Sequence, residues 1–199
     1  MSSDDTLPRD SAAAPVPALV LAAGLSRRAG PVNKLLIDVN GLPMVAAVAE
    51  RVLAAGFAPV HVVTGFEAAR VEAALSDLDV VFVHNPDFEE GMASSIRHGV
   101  GALADDAAGV LIVLGDMPWV TVATLAALSA DVAADAIRRP VMDGRPGNPV
   151  LFGRRFFAEL VALDGDRGAK LVIQTHADAV TDVAVADPGI FRDLDQPQS

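Results

Sequence analysis

Cysteine is absent from this chain of 199 residues. Its absence excludes a disulfide framework, a thiolate metal site and a cysteine nucleophile, and it agrees with a reducing cytoplasm, where we expect the protein to reside. Long hydrophobic runs are missing too: 52% of the residues are hydrophobic, but their runs are far shorter than the about 18 apolar residues of a membrane span. We therefore expect no membrane partner.

Basic side chains are scarce. The chain has 15 Lys plus Arg against 26 Asp plus Glu, and its formal net charge is -11. Non-specific nucleic-acid binding relies on a broad basic surface, so this charge balance argues against a nucleic-acid partner.

Several familiar signatures are also missing. Pro31 follows Gly30 where a P-loop needs Lys, and Gly24 has no glycine two residues on, as a dinucleotide fingerprint requires. No serine stands in a G-x-S-x-G elbow, and the four histidines have no metal-ligand spacing. These absences argue against a standard NTPase, a Rossmann dehydrogenase and a serine hydrolase.

From residue 18 onward, strand-like and helix-like segments alternate. Short β-branched runs predict strands, and apolar residues three and four apart predict helices. The predicted strands are 19–22, 60–64, 80–84, 110–114, 136–142 and 180–185, with a further apolar stretch at 150–152, and the predicted helices are 44–55, 67–75, 94–103, 122–133, 154–163 and 169–175. This alternation indicates an α/β fold whose mostly parallel central sheet is covered by helices on both faces.

Residues 1–17 mix Ser, Asp, Ala and Pro without periodicity and lack the features of a signal peptide. We interpret them as a disordered leader. Because no repeat, linker or composition shift follows, residues 18–199 are predicted to form one domain.

A basic loop follows the first predicted strand. It carries Arg27, Arg28 and Lys34, three cations within eight residues of an acidic protein. Gly24 and Gly30 lack the Cβ that would keep the backbone from a phosphate, and they permit the positive φ that turns N–H groups inward. The loop therefore predicts an anion site; the alternative is an ordinary surface loop whose arginines are solvated.

Open parallel sheets bind ligands at the carboxyl ends of their strands. Polar or small residues follow four predicted strands at that edge: the Gly24 loop, Thr64–Gly65, His84–Asn85 and Gly115–Asp116. Asp116 alone would repel a polyphosphate, so its position predicts a divalent cation such as Mg²⁺ between the two. The alternative is that Asp116 only forms a turn or caps a helix.

Two further segments are candidates. Asp193 and Asp195 point the same way in an extended chain and could complete the shell of the ion, unless they belong to a solvated acidic tail. Gly91, Ser94 and Ser95 start a predicted helix, where the hydroxyls either cap it or donate to a ligand.

The ordered set of motifs resembles the signatures of the MobA-like nucleotidyltransferases, most closely the molybdenum cofactor cytidylyltransferase branch. The matching segments are 21–28, Gly30, 34–36, 63–65, 85–86, 91–95, 115–118, 147–152, 165–166, 168–170 and 193–195. The resemblance implies a Rossmann-like three-layer nucleotidyltransferase fold. It also implies Mg²⁺-dependent transfer of an NMP from CTP or GTP to the phosphate of a molybdopterin-type acceptor, with release of pyrophosphate.

The resemblance also implies roles for individual residues. Arg28 and Lys34 would hold the triphosphate and the leaving pyrophosphate, and Asp116 would bind Mg²⁺, with Asp193 or Asp195. Ala22, Ala23 and Gly24 would lie against the nucleotide. The other implied binding residues are Leu21, Thr64, Gly65, Asn85, Gly91, Ser95, Gly115 and Asn148.

Three departures concern the substrate. Ala23 stands where guanylyl-transferring relatives commonly have Gly, which favours cytidine; Ala29 replaces a frequent Met, and Asn148 replaces a frequent His. Two other functions remain open: an oxidoreductase of the same fold acting on a heteroaromatic substrate, and a non-catalytic carrier that delivers molybdenum cofactor to a molybdoenzyme.

Overall fold

A computed structural model of the chain describes residues 16–25, 33–165 and 168–193. Most of the predicted leader lies outside these ranges. The sequence placed Val16 and Pro17 at the end of that leader, but their backbones are hydrogen-bonded to the domain. The Val16 carbonyl accepts the Ala58 N–H at 3.1 Å, and the Pro17 carbonyl accepts the Leu111 N–H at 3.0 Å.

The strands are β1 (Ala18–Ala22), β2 (Asp38–Val39), β3 (Leu42–Pro43), β4 (Val60–Thr64), β5 (Val81–His84), β6 (Gly109–Leu114), β7 (Ile137–Met142), β8 (Arg145–Pro146), β9 (Val150–Gly153) and β10 (Val180–Ala184). The helices are α1 (Met44–Ala54), α2 (Ala68–Ala73), α3 (Met92–Gly101), α4 (Val122–Ser129), α5 (Phe157–Val161) and α6 (Lys170–Thr175). The predicted strands and helices are thus confirmed, with shifts at their ends.

The central sheet is mixed but mostly parallel. Its strand order is β10-β7-β9-β6-β1-β4-β5, with β8 paired to β7. Strand β9 runs antiparallel to both β6 and β7, while β1 is parallel to β4 and β6. The reversal follows from the chain between β7 and β9, where Asp143 and Gly144 take left-handed φ values of 52° and 74°. A parallel return needs a crossover of about a dozen residues or more, which residues 143–149 do not provide.

Helices cover both faces of the sheet, as predicted. On β1 the side chains of Val20 and Leu19 point to opposite faces because successive strand residues alternate. Val20 belongs to a buried cluster with apolar residues of α1, α2 and α4, and Leu19 to a second cluster with those of α3, α5 and α6. The fold therefore has three layers. This double cover explains why the central strands are continuous apolar runs.

Two predicted helices are shorter than expected. The predicted helix 122–133 ends at Ser129, because Ala130 is extended and Asp131 adopts a left-handed φ of 55°. The predicted helix 154–163 is divided into a 3-10 turn, Arg154–Phe156, and α5. Among the described residues, every helix is too short or too polar to cross a bilayer.

Candidate active site

The carboxyl ends of four strands lie level at one edge of the sheet. In the register of the parallel pairs, Ala22 is opposite Thr64, Thr64 is opposite His84, and Leu21 is opposite Leu114. The residues that directly follow these strands therefore share one edge, and they are Ala23, Gly65, Asn85 and Gly115. This is the edge at which the sequence placed the ligand.

Two glycines at this edge allow close backbone contacts. A Cβ on Gly115 would lie 2.8 Å from the Leu21 carbonyl oxygen, which accepts the Gly115 N–H at 3.0 Å. A Cβ on Gly65 would lie 2.9 Å from the Cβ of Ala23. Real Cβ atoms do not approach this closely, so the chain after β4 and β6 can only follow its observed course with glycine at both positions.

Gly24 does not behave as the sequence suggested. Its φ lies outside the left-handed region, and none of the described atoms lies within 4 Å of where its Cβ would be. The positive φ that glycine permits is therefore not adopted at Gly24. Among the described residues, nothing fills the space beside the sheet edge where a Gly24 side chain would lie.

Lys34 is held by a short structured turn. It begins the 3-10 helix Lys34–Leu36, whose N-cap is Asn33, and the Asn33 Oδ1 accepts the Leu35 N–H at 3.1 Å. Asn33 and Leu35 are buried, with 1% and 4% of their surfaces exposed. The backbone at Lys34 is thus anchored to the core, and the long side chain extends from a fixed point.

Lys34 and Asp116 form an ion pair across the site. The Lys34 Nζ donates to the Asp116 Oδ2 at 2.6 Å, and the two side chains are 22% and 16% exposed. Charge-assisted hydrogen bonds of this length between partly buried groups are stronger than exposed pairs. The structure therefore joins the basic loop and the aspartate that the sequence predicted to face one ligand.

Asp116 does not cap the helix that follows it. The N-cap of α4 is Thr121, whose Oγ1 accepts the Thr124 N–H at 3.2 Å. The carboxylate of Asp116 is instead directed to Lys34. The helix-cap alternative for Asp116 is therefore wrong.

Asn85, predicted to contact a ligand, is fully buried. Its Nδ2 donates to the Ser94 Oγ at 2.9 Å and to the Ser95 Oγ at 3.1 Å, and its Oδ1 accepts the Asp87 N–H at 2.9 Å. These bonds use both amide protons and the carbonyl oxygen. Asn85 thus ties the end of β5 to the first turn of α3, and the same bonds hold Ser95.

Thr64 and Gly91 also have structural partners. The buried Thr64 Oγ1 donates to the Glu72 Oε1 at 3.0 Å. Gly91 precedes α3 with a φ of 100° and a ψ of -171°, a conformation that other residues rarely adopt. Its carbonyl accepts the Ser94 hydroxyl at 2.8 Å, so Gly91 and Ser94 fix the start of α3 together.

The C-terminal segment packs beside the chain that follows Asp116. The buried carboxylate of Asp187 accepts the Thr121 N–H at 2.8 Å and the Gly189 N–H at 2.9 Å with different oxygens. The guanidinium of Arg192 stacks over the Trp119 ring at 4.3 Å from its centroid. Sequence reasoning missed Asp187, although the Asp-Pro-Gly sequence that begins there is a turn signal.

Burial alone would raise the pKa of Asp187, but hydrogen bonds from the Thr121 N–H, the Thr124 and Thr121 hydroxyls and the Gly189 N–H outweigh it. The pKa of this carboxyl therefore lies below its ordinary value, because these donors stabilise the ionised form.

Two other predicted residues lie on the surface near that segment. Asn148 is exposed, and its N–H donates to the Ile190 carbonyl at 3.0 Å. Asp193 is also exposed, and it directly follows Arg192. Ser26, Arg27, Arg28, Gly30, Asp166 and Asp195 lie outside the described residues.

A divalent cation fits this site only as an ion shared with a substrate. Across residues 16–25, 33–165 and 168–193, no three His, Cys, Asp or Glu side chains gather as a metal cluster. Mg²⁺, however, is commonly held by one or two carboxylates together with phosphate oxygens and water. The partly exposed Asp116 suits that arrangement, since a polyphosphate would supply the other ligands.

The fold has three layers, with helices on both faces of a mostly parallel sheet, and small residues and an ion pair lie at the carboxyl edge of that sheet. This is the nucleotidyltransferase fold. A nucleotidyl transferase from Methanothermobacter thermautotroptrophicus (Mth528) superposes with a TM-score of 0.80 and 27% identity, covering 91% of this chain and 92% of that one. The model of the MobA-like NTP transferase domain matches residues 18–180, and the chain belongs to this family of nucleotidyltransferases.

Two further relatives are closer in sequence. Rv0371c from Mycobacterium tuberculosis H37Rv has a TM-score of 0.79 at 30% identity and covers 92% of this chain and 94% of its own, and another structure of Rv0371c is a complex with manganese. The Bifunctional protein GlmU of Sphingopyxis alaskensis is 34% identical over 187 residues, which are 90% of this chain but only 40% of that protein. None of these relatives is named for the molybdenum cofactor, so the cytidylyltransferase branch stays a prediction.

Proposed function

We propose that the protein is a Mg²⁺-dependent nucleotidyltransferase that moves CMP, or alternatively GMP, from an NTP to the phosphate of a molybdopterin-type acceptor. The observation that carries this proposal is the Lys34–Asp116 pair at the carboxyl edge of the sheet. It supplies a cation for phosphate and a carboxylate for a divalent ion at one place. The manganese complex of Rv0371c supports the use of a divalent cation.

The transfer is an in-line displacement. An oxygen of the acceptor phosphate attacks the α-phosphorus, the bond to the bridging oxygen breaks, and pyrophosphate leaves. Lys34 would bind the phosphates and stabilise the charge that develops on the leaving pyrophosphate, as would the predicted Arg28. When bound, the divalent ion neutralises phosphate charge, with Asp116 as its protein ligand and Asp193 or Asp195 as the predicted second one.

No protein nucleophile is needed for this reaction, since catalysis of phosphoryl transfer is chiefly positioning and charge stabilisation. The rigid edge provides the positioning. Gly115 and Gly65 fix the backbone beside β1, and the Asn85 network fixes the start of α3. Ala22, Ala23 and Gly24 would then lie against the nucleotide, while Ser95, Gly91 and Asn148 would face the acceptor side.

The first test identifies the donor. A thermal-shift series with CTP, GTP, UTP and ATP, each with and without Mg²⁺, should show stabilisation by one nucleotide, because a ligand that binds the native state raises its stability by mass action. We expect CTP to give the largest shift. A shift with GTP alone would replace cytidine by guanosine in the proposal.

The second test measures transfer. Pyrophosphate release from the identified NTP should require a molybdopterin-type acceptor, with sugar phosphates as comparison acceptors. Asp116→Ala should lower kcat/KM at least about 100-fold, the usual cost of removing one essential charge-stabilising group. The matched control is Asp182→Ala, because Asp182 on β10 pairs with Arg139 on β7 and is 51% exposed. An unchanged rate in Asp116→Ala would refute the assignment, and tight cofactor binding without turnover would indicate a carrier instead.

A further inference from the structure

The ammonium group of Lys34 is paired with the carboxylate of Asp116, to which a divalent cation would bind. Its Nζ lies 2.6 Å from the Asp116 Oδ2, and both side chains are largely removed from solvent. An ammonium at this distance blocks direct approach of a metal ion to that oxygen. It also opposes the ion electrostatically, because like charges a few ångströms apart in a partly buried site repel strongly.

From this contact we infer that Lys34 is a built-in competitor of the divalent cation, and that a polyphosphate opens Asp116 to the ion by drawing the ammonium away. The inference rests on the proposed function. Lys34 thus exchanges the Asp116 carboxylate in the free protein for the phosphates in the complex. Cation binding and nucleotide binding are then positively coupled, and the coupling is reciprocal.

The local structure allows this exchange without a change of fold. The backbone at Lys34 is anchored by the buried Asn33 and Leu35, so the movement is confined to a flexible side chain that is 22% exposed. The backbone on either side of Asp116 is held as well. Gly115 is bonded to Leu21, and the Met117 N–H donates to the Leu114 carbonyl at 3.3 Å.

The first test is Mn²⁺ binding in the absence of nucleotide, followed by electron paramagnetic resonance or calorimetry. Lys34→Met should bind Mn²⁺ at least about fivefold more tightly than the wild type, the lower end of coupling between linked sites. Lys34→Arg, which keeps the charge, should bind as weakly as the wild type. Lys34→Gln serves as the second variant if Lys34→Met does not fold, as judged by circular dichroism.

Two controls separate competition from a general effect of charge. Arg97→Met removes one positive charge from a pair with Glu90 elsewhere on the surface, and it should leave Mn²⁺ affinity unchanged. Adding Asp116→Asn to Lys34→Met should abolish the gain. Competition is refuted if Lys34→Met binds Mn²⁺ within twofold of the wild type, or if Arg97→Met gives the same gain.

The reciprocal test is nucleotide binding in EDTA. Asp116→Asn removes the ion pair with Lys34 and should tighten metal-free CTP binding at least about fivefold, whereas in the Lys34→Met background the same change should have no more than a twofold effect. An equal gain in both backgrounds would show that Asp116 merely repels phosphate. Tighter Mn²⁺ binding by Lys34→Met, together with no nucleotidyl transfer by the wild type, would overturn the proposed function alone. Normal transfer by the wild type, together with unchanged Mn²⁺ affinity in Lys34→Met, would overturn only the competition.

Discussion

Asp187 provides the sharpest stability prediction, because its buried carboxylate joins the start of α4 to the C-terminal segment. One oxygen accepts the Thr121 N–H and the Thr124 hydroxyl at 2.8 and 2.7 Å, and the other accepts the Gly189 N–H at 2.9 Å. The two hydroxyls can rotate, but the two backbone N–H groups cannot. Each of the carboxylate oxygens therefore faces one fixed donor.

Asp187→Asn cannot satisfy both donors. In either orientation of the amide, its NH₂ group faces a backbone N–H of Thr121 or Gly189, so at least one buried donor loses its acceptor. A hydrogen bond to a charged group contributes about 1.5–3 kcal/mol, and an unsatisfied buried donor adds a desolvation penalty. We expect a loss of about 3 kcal/mol in the free energy of unfolding, which corresponds to a fall in Tm of about 6–12 °C for a domain of this size.

The assay is urea unfolding monitored by far-ultraviolet circular dichroism. The control is Asp182→Asn, which alters the surface ion pair between Asp182 on β10 and Arg139 on β7. The free energy of unfolding of that control should fall by less than about 1 kcal/mol. A loss below about 0.5 kcal/mol in Asp187→Asn would contradict the hydrogen-bond reasoning.

The same variant has a pH signature. The pKa of Asp187 is lower in the folded protein than in the unfolded chain. Its ionised carboxylate therefore contributes to the free energy of unfolding above the unfolded pKa of about 3.9, and this contribution disappears as the pH falls through the folded pKa. The difference in stability between wild type and Asp187→Asn should therefore shrink below about pH 4. A constant difference from pH 6 to pH 3 would refute the assigned charge state.

Two further predictions concern Gly115 and His61. Gly115→Ala should reduce both stability and nucleotidyl transfer, because its Cβ would meet the Leu21 carbonyl oxygen at 2.8 Å. Gly101→Ala, at the end of α3 with no described atom within 4 Å of its Cβ, should reduce neither in unfolding and pyrophosphate assays, because alanine favours a helix. Equal losses in the two variants would contradict this. Burial lowers the pKa of His61, so stability should fall as the pH drops below the unfolded value of about 6.5. His61→Leu should flatten that dependence in urea unfolding between pH 7 and pH 5, with the exposed His84→Leu as control, and a persistent slope would show that another group is responsible.

Much of the fold could be predicted from the sequence. The β-branched runs and the helical spacing of apolar residues located β1, β4 and α1 to within one residue of their observed ends. These segments are long and buried, so local pattern and tertiary burial agree. The antiparallel β9 could not be predicted from its own residues, because its direction depends on the left-handed Asp143–Gly144 turn before it.

The candidate site was only partly predictable. Strand order and register brought Asp116 to the edge that the sequence indicated, and its pairing with Lys34 follows from opposite charges meeting there. The structural role of Asn85 could not be read from the sequence, because local pattern cannot show that its amide donates to Ser94 and Ser95 on the next helix. The role of Asp187 was missed because its donors on α4 lie more than sixty residues away in the chain.

The sequence by itself determined which segments could be strands and helices, since hydrophobic period and backbone preference act over a few neighbouring residues. It also determined the chemical types available at the strand ends. Only the tertiary structure decided which of those groups meet, because contacts such as Lys34–Asp116 and Asp187–Thr121 join distant parts of the chain. Their geometry depends on how the layers pack, and that is a property of the whole folded domain.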